Sequence, residues 1–350
     1  MHTPSPGSSA SSESPRPLYR PALHRFACFC AGSVLFLICL GGLVTSNEAG
    51  MSVPDWPTTY HQNMFLFPWH SWVGGIFYEH SHRLVASGVG VFVIILAIWL
   101  WFQERIWLRW MGIVVPIFIL LEGVIGGLRV VLSEDQLGIL HGCLAQLLFV
   151  AVSLIALFTS RWWIGTDSSA AGVGAIPRQW PGRALAVCAL IFCQLMLGAV
   201  MRHEHAGLSI HDFPLAYGQV WPNTDSASVA QYNIARIAHN EPSTNALYIA
   251  MQMAHRICAV LVTVAILGAA AAMWLTPGAA PILRRWNAVW VLLVFLQFTL
   301  GALTIWTNKD AHVATTHVAI GALILVLGAL LTAMSWRLQS QAELTRSDLA

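Results

Sequence analysis

Long apolar runs separated by short polar stretches recur along the whole chain. Each run is about 20 residues long, the length of an α-helix that crosses the hydrocarbon core of a bilayer. Their approximate limits are 26–45, 82–102, 111–131, 138–159, 184–201, 250–275, 288–306 and 313–335. The pattern predicts an all-α integral membrane protein with eight transmembrane helices.

Composition agrees with this fold class. The 350 residues are 57% hydrophobic and 10% charged, whereas a soluble domain has about 25% charged residues. The net charge of +2 is too small to indicate a nucleic-acid partner. The first run is longer than the apolar core of a signal peptide, and no small-residue cleavage motif follows it, so we expect it to be retained.

Basic residues predict the orientation, because cytoplasmic loops are enriched in Lys and Arg. Twelve of the 18 lie in the two ends of the chain and in the loops after the second, fourth and sixth runs. The stretch 46–82 contains none. We therefore expect both termini in the cytoplasm of a bacterial cell, and the long loops after the first and fifth runs outside.

The chain divides into two halves. We predict a disordered cytoplasmic tail at 1–23, a four-helix bundle at 24–160, a cytoplasmic linker at 161–183, a second four-helix bundle at 184–336 and a cytoplasmic tail at 337–350. The tail and linker assignments rest on their Ser, Pro, Gly and Ala content.

The two halves resemble each other in sequence. "GMSVPDWPTTYHQ" from Gly50 matches "GLSIHDFPLAYGQ" from Gly207 at six of 13 positions without a gap. "HRLVA" at 82–86 meets "HRICA" at 255–259, and "LEGVIGGL" at 121–128 meets "LQFTLGAL" at 296–303. Four helices per repeat preserve the orientation, so we expect parallel repeats related by an axis along the membrane normal.

This alignment selects four of the 14 histidines: His82 and His141 in the first half, His255 and His317 in the second. Each begins an even-numbered run, so all four are expected near the outer face. Two facing histidines in a bundle core can ligate a haem iron axially, each through one ring nitrogen. We therefore predict these four as haem and iron ligands.

Neighbouring residues are suited to a haem. Arg83 and Arg256 follow ligand candidates directly, where they could pair with haem propionates. Small residues, including Gly126, Gly127 and Gly301, recur near the histidines and could admit a flat macrocycle.

The halves differ in charge at one position close to a predicted ligand. Glu79 precedes His82 by three residues, so the two share a helix face, but its counterpart is the neutral Gln252. Just one of the two haem sites would therefore have a carboxylate beside it. This predicts that the first site performs the chemistry, with Glu79 as a catalytic residue, and that the second site supports the first.

"EHSHR" at 79–83, the "PDWP" outer loop at 54–57, the duplicated eight-helix layout and the four spaced histidines resemble the haem A synthase family. The resemblance covers about 24–336. It implies that the protein oxidises a methyl group of haem O to a formyl group, making haem A for cytochrome oxidase. It implies a substrate haem between His82 and His141, with Glu79 catalytic, and a haem b between His255 and His317.

Several partners are expected on the same basis: an electron donor or acceptor such as a quinone, and haem O synthase or cytochrome oxidase assembly factors. Two other functions fit the pattern less well. A dihaem cytochrome b exchanging electrons with quinone would have symmetric sites. A transporter would have paired Gly/Pro interruptions in mid-membrane, which the apolar runs lack.

Overall fold

The computed structural model describes residues 19–103, 105–165 and 174–347. Within these residues the chain is helical, with three isolated β-bridges and no named strand. Most of the predicted N-terminal tail and the middle of the predicted linker lie outside the described residues.

Eight of the helices are long and apolar enough to cross a membrane, as the sequence predicts. They are α1 (Pro21–Ser46), α2 (Gly75–Trp101), α3 (Ile106–Val131), α4 (Leu137–Phe158), α6 (Trp180–His203), α8 (Ala246–Trp274), α9 (Pro281–Trp306) and α10 (Ala311–Ser347). Two shorter helices, α5 (Arg161–Gly165) and α7 (Ser226–Ala238), lie in loops. The protein is a multi-pass membrane protein.

Several boundaries differ from the predicted runs. Helix α2 begins at Gly75 rather than near 82, and α8 at Ala246 rather than 250. In α2 the added residues include Glu79 and His80, polar side chains that contact the loop before α2 and that an apolar window excludes. The N-cap of helix α8 is Asn245, whose side chain accepts a hydrogen bond from the backbone nitrogen of Tyr248. Helix α10 continues to Ser347, so most of the predicted C-terminal tail is helical, as are both ends of the predicted linker.

The helices pack as two neighbouring rings. In the first, α1 contacts α2 and α4, and α3 contacts α2 and α4; in the second, α6 contacts α8 and α10, and α9 contacts α8 and α10. One apolar cluster is built from the second ring, and the other from the first ring together with Ala322 and Val326 of α10. Helices α1, α4, α6 and α10 also pack across the boundary between the rings. The relation of the rings by an axis along the membrane normal stays a prediction.

The two long loops that the sequence predicts to lie outside, called the outer loops below, fold alike over their repeated sequences. Asp55 accepts hydrogen bonds from the backbone N–H groups of the two residues at 60–61, and Asp212 does the same for the two at 217–218. The hydroxyls of Tyr60 and Tyr217 each donate to a serine carbonyl eight residues earlier in the chain. Both loops are therefore compact caps, each placed over one ring of helices.

Candidate functional site

The four predicted ligands lie in two pairs, one in each ring. His82 on α2 is near enough to His141 on α4 to interact with it electrostatically, and His255 on α8 interacts in the same way with His317 on α10. All four side chains are half-buried. The structure thus brings together the histidines that the repeat alignment selected.

Each imidazole lies against a glycine of a neighbouring helix. A β-carbon added at Gly41 or Gly198 would lie 3.2 Å from Cε1 of His82 or His255, respectively. These distances are shorter than ordinary van der Waals contact. A side chain at either glycine would therefore push the ring out of its position.

The same arrangement occurs on α3 and α9. An added β-carbon would lie 3.1 Å from Cε1 of His141 at Gly126, and 3.2 Å from Cε1 of His317 at Gly301. These two glycines lie against imidazole rings, and their role in admitting a macrocycle stays a prediction. Gly127, grouped with them there, lies directly against the indole of Trp56 in the outer loop.

Glu79 is 4% exposed and binds the outer loop. Its Oε2 accepts a hydrogen bond from the Val53 backbone nitrogen at 2.8 Å, and its Oε1 forms a 2.7 Å ion pair with Arg83. The repeat-equivalent Gln252 accepts from the Ile210 backbone nitrogen at 2.7 Å and donates to the Ile210 carbonyl at 3.0 Å. The position thus joins helix and loop in both halves, but only the first half has a charge there.

The guanidinium groups of Arg83 and Arg256 also hold the loops. Arg83 donates to the carbonyls of Val53 at 3.1 Å and Asp55 at 2.7 Å. Arg256 donates to the carbonyls of Asp212 at 2.7 Å and Leu215 at 2.9 Å. Pairing of these arginines with haem propionates stays a prediction. It would require each guanidinium to donate to a propionate as well as to the loop carbonyls.

Glu122 was not among the residues predicted from the sequence. This carboxylate on α3 is 6% exposed, and its Oε2 lies 2.6 Å from Nδ1 of His141. An acidic residue in the middle of an apolar run is a recognisable signal, because charge inside a membrane is costly and usually functional. That signal was present in the sequence "LEGVIGGL".

Neutral amides lie beside the histidines of the second ring. Gln194 Nε2 lies 3.2 Å from Nε2 of His255, and Gln297 Nε2 lies 3.5 Å from Nε2 of His317. Gln297 is the repeat counterpart of Glu122, at an offset of 175. The two sites therefore differ in charge beside a histidine as well as at position 79.

The histidine pairs fit a haem. Nδ1 of His82 and Nδ1 of His317 are buried without a hydrogen-bond partner, which is costly for a polar atom unless a ligand or water satisfies the ring. The described residues contain no group of three or more His, Cys, Asp or Glu side chains arranged to hold a metal ion. Paired ligands are suited to axial coordination of an iron whose other ligands come from a porphyrin.

Two other histidines lie close in sequence to the predicted ligands, His80 to His82 and His312 to His317, but have other surroundings. His80 is fully buried beneath the outer loop, where its Nδ1 lies 3.1 Å from the Thr59 hydroxyl and its ring packs on Phe67 and Trp72. His312 is exposed at the start of α10.

Comparison with known proteins identifies the family. Residues 70–329 match the COX15-CtaA family model, described as "Cytochrome oxidase assembly protein". A protein of Geobacillus kaustophilus named "Heme A synthase" is 26% identical over 85% of this chain and 86% of its own length. Another of that name, from Rhizorhabdus wittichii, is 27% identical over 91% of this chain and 94% of its own length. The match covers most of both rings, and the chain belongs to the COX15-CtaA family of cytochrome oxidase assembly proteins.

Proposed function

We propose that this protein is a haem A synthase, a membrane enzyme that oxidises a methyl group of haem O to a formyl group and so makes haem A for cytochrome oxidase. The family and the shared name of the relatives support this function. The structural observation that most supports this function is the difference in charge between the two histidine sites. In the first ring, Glu79 precedes His82 by three residues on α2 and Glu122 lies 2.6 Å from His141. In the second ring, amides lie beside both histidines.

The first site takes the substrate. His82 and His141 would hold the iron of haem O, with one ring nitrogen each, so that the porphyrin lies between α2 and α4. The glycines behind the rings limit the positions that each imidazole can take, so the two candidate ligands are held in place before the substrate binds. Positioning of this kind lowers the barrier because the reacting groups are already aligned.

The second site takes a resident haem b between His255 and His317. When bound there, haem b supplies one-electron transfer to or from the first site. The residues of the second ring bind and orient it, and Gln252 and Arg256 keep the outer loop closed above it.

Glu79 is the candidate acid–base residue. Its carboxylate lies one helical turn from His82 and is shielded from water, with Arg83 as its counter-ion. A proton released as the methyl group is oxidised could be accepted by this carboxylate, with Arg83 balancing the charge before transfer. Positioned acid–base groups typically contribute about 10²–10⁴-fold in rate.

The proposed function also implies an orientation in the membrane and a set of partners. Both termini lie in the cytoplasm and the histidine pairs near the outer face. The electrons pass to or from a partner such as a quinone, and haem O synthase or other assembly factors supply the substrate or receive the product. Localised basic residues support the orientation.

A dihaem cytochrome b is the alternative, and the difference between Glu79 and Gln252 argues against it. The deciding experiment is acid-acetone extraction of the haems that copurify with the full chain, followed by chromatography. Haem O or haem A beside haem B is the expected result. Haem B alone, together with no conversion of added haem O, would overturn the proposed function.

A further inference from the structure

A buried carboxylate touches one histidine of the first site and has no charged counterpart in the second. Glu122 lies in a membrane-spanning helix, and its Oε2 is 2.6 Å from Nδ1 of His141. Its other oxygen is buried without a hydrogen-bond partner. The carboxylate therefore has His141 as its close polar contact, and the cost of burying it is offset chiefly through that contact.

The contact favours a proton on one ring nitrogen of His141. The 2.6 Å approach does not have the geometry of a hydrogen bond, but a carboxylate only accepts hydrogen bonds, so a proton on Nδ1 is the one that Glu122 stabilises. The lone pair of Nε2 is then available to a metal. Gly126 bounds the ring on its Cε1 edge, so the orientation of His141 is set on two sides.

A carboxylate on the remote nitrogen also changes the ligand. It makes the imidazole more basic and a better electron donor. A better donor stabilises ferric over ferrous iron, because the ferric ion has the higher charge. In the second ring, Gln297 lies 3.5 Å from Nε2 of His317, whereas Glu122 lies beside Nδ1 of His141. The amide of Gln297 carries no charge and does not supply this effect.

We propose that Glu122 is a positioning residue that gives the first haem site a lower reduction potential than the second, by polarising His141. The inference rests on the proposed function, since it takes His141 as an axial ligand. It goes beyond that function in assigning the order of the two potentials to one side chain. It also explains the presence of a carboxylate in the middle of an otherwise apolar helix.

The test is a pair of reciprocal substitutions in the full-length protein, Glu122→Gln and Gln297→Glu. Each substitution introduces the residue that stands at the equivalent position of the other ring. We therefore expect both variants to fold. Haem-depleted protein is loaded with ferric haem B, and the midpoint potentials of both sites are measured by spectroscopic redox titration. The affinity for ferric haem B is measured in the same preparations.

Glu122→Gln should raise the lower midpoint, and Gln297→Glu should lower the higher one. We expect at least a tenfold change in the ratio of ferric to ferrous binding, which for one electron corresponds to about 59 mV. Loss of a ligand's hydrogen-bonding partner typically weakens metal affinity about 10–100-fold, so ferric haem B should also bind Glu122→Gln more weakly.

Unchanged midpoints in both variants, or a downward shift in Glu122→Gln, would overturn the inference. In that case wild-type conversion of haem O to haem A would show that the proposed function still holds. Failure of the wild-type protein to make haem A would instead overturn the function. The two failures are therefore seen in different measurements.

Discussion

Glu79 Oε2 lies 2.8 Å from the backbone nitrogen of Val53, and this contact ties the start of α2 to the first outer loop. Gln252 makes the same contact with Ile210 at 2.7 Å. The shared role of the position is therefore to bind the loop. Only the first half has a negative charge at this position. A substitution can therefore separate the effect of the charge from the effect of the loop contact.

Replacement Glu79→Gln should give a folded protein that carries haem but makes little haem A. The amide can accept from Val53 as Gln252 does from Ile210, but it loses the ion pair with Arg83 and cannot take a proton. Loss of an acid–base group typically costs about 10²–10⁴-fold in rate. The measurement is total haem in purified protein, with chromatographic separation of haems O, A and any hydroxylated product.

Gln252→Glu is the matched control for that variant, because it changes the same contact in the ring without substrate. It should leave haem A production far less affected. Wild-type amounts of haem A in Glu79→Gln would show that the carboxylate serves the loop alone, and loss of all haem would make its role structural.

His255→Ala or His317→Ala should remove the low-spin haem b spectrum while the first site stays occupied. Each substitution removes one of the two axial nitrogens of the second ring. Optical spectra of the purified variants measure this, with His312→Ala as the control because His312 is exposed at the start of the same helix. Survival of the spectrum in both variants would mean that the ligands are assigned wrongly.

Gly301→Ala should weaken haem retention in the second site. The new methyl group would lie 3.2 Å from Cε1 of His317 and would displace the ring by a few tenths of an ångström. Gly268→Ala is the control, since nothing lies within 4 Å of the added atom. That variant should keep its haem and gain about 0.5–1 kcal/mol, the usual penalty of glycine inside a helix. Equal haem content in both variants would contradict the role given to Gly301.

Reporter fusions after Tyr60 and Tyr217 should both read as outside, and a fusion near Ser169 as inside. Four spans separate the two outer loops, and an even number of crossings returns the chain to the same side. Alkaline phosphatase and a fluorescent protein, fused in turn at each point, measure the two sides. Opposite readings at the two tyrosines would contradict the parallel repeats.

Asp135→Asn should destabilise the protein at neutral pH but not in acid. Burial alone raises the pKa of Asp135, but hydrogen bonding and charge from Arg129, with a contribution from His203, outweigh it and hold the pKa below its usual value. The stabilisation is therefore present above the ordinary aspartate pKa of about 3.9 and is lost as the pH falls through the lower, folded value.

Thermal unfolding of wild type and Asp135→Asn in detergent, from neutral pH downward, measures this effect. The difference in melting temperature should shrink below about pH 4. A difference that stays constant over the whole range would show that the ion pair with Arg129 contributes nothing to the folded state.

The sequence by itself determined the class of fold and the identity of the four histidines. Apolar runs of membrane-spanning length leave the backbone no alternative to helices, because unpaired peptide groups are not tolerated in hydrocarbon. The internal repeat then separated His82, His141, His255 and His317 from the other histidines, since a shared site requires equivalent positions in both halves.

Only the tertiary structure decided what surrounds those histidines. Gly41 and Gly198 are ordinary small residues in the sequence, and their contact with an imidazole depends on how closely α1 meets α2 and α6 meets α8. Glu122 is distant in sequence from His141, and their 2.6 Å contact follows from the packing of α3 on α4. The hydrogen bonds from Arg83 to carbonyls of the outer loop are likewise seen only in the folded protein. Periodicity sets which face a residue lies on, but the partner on that face is set by helices that meet only after folding.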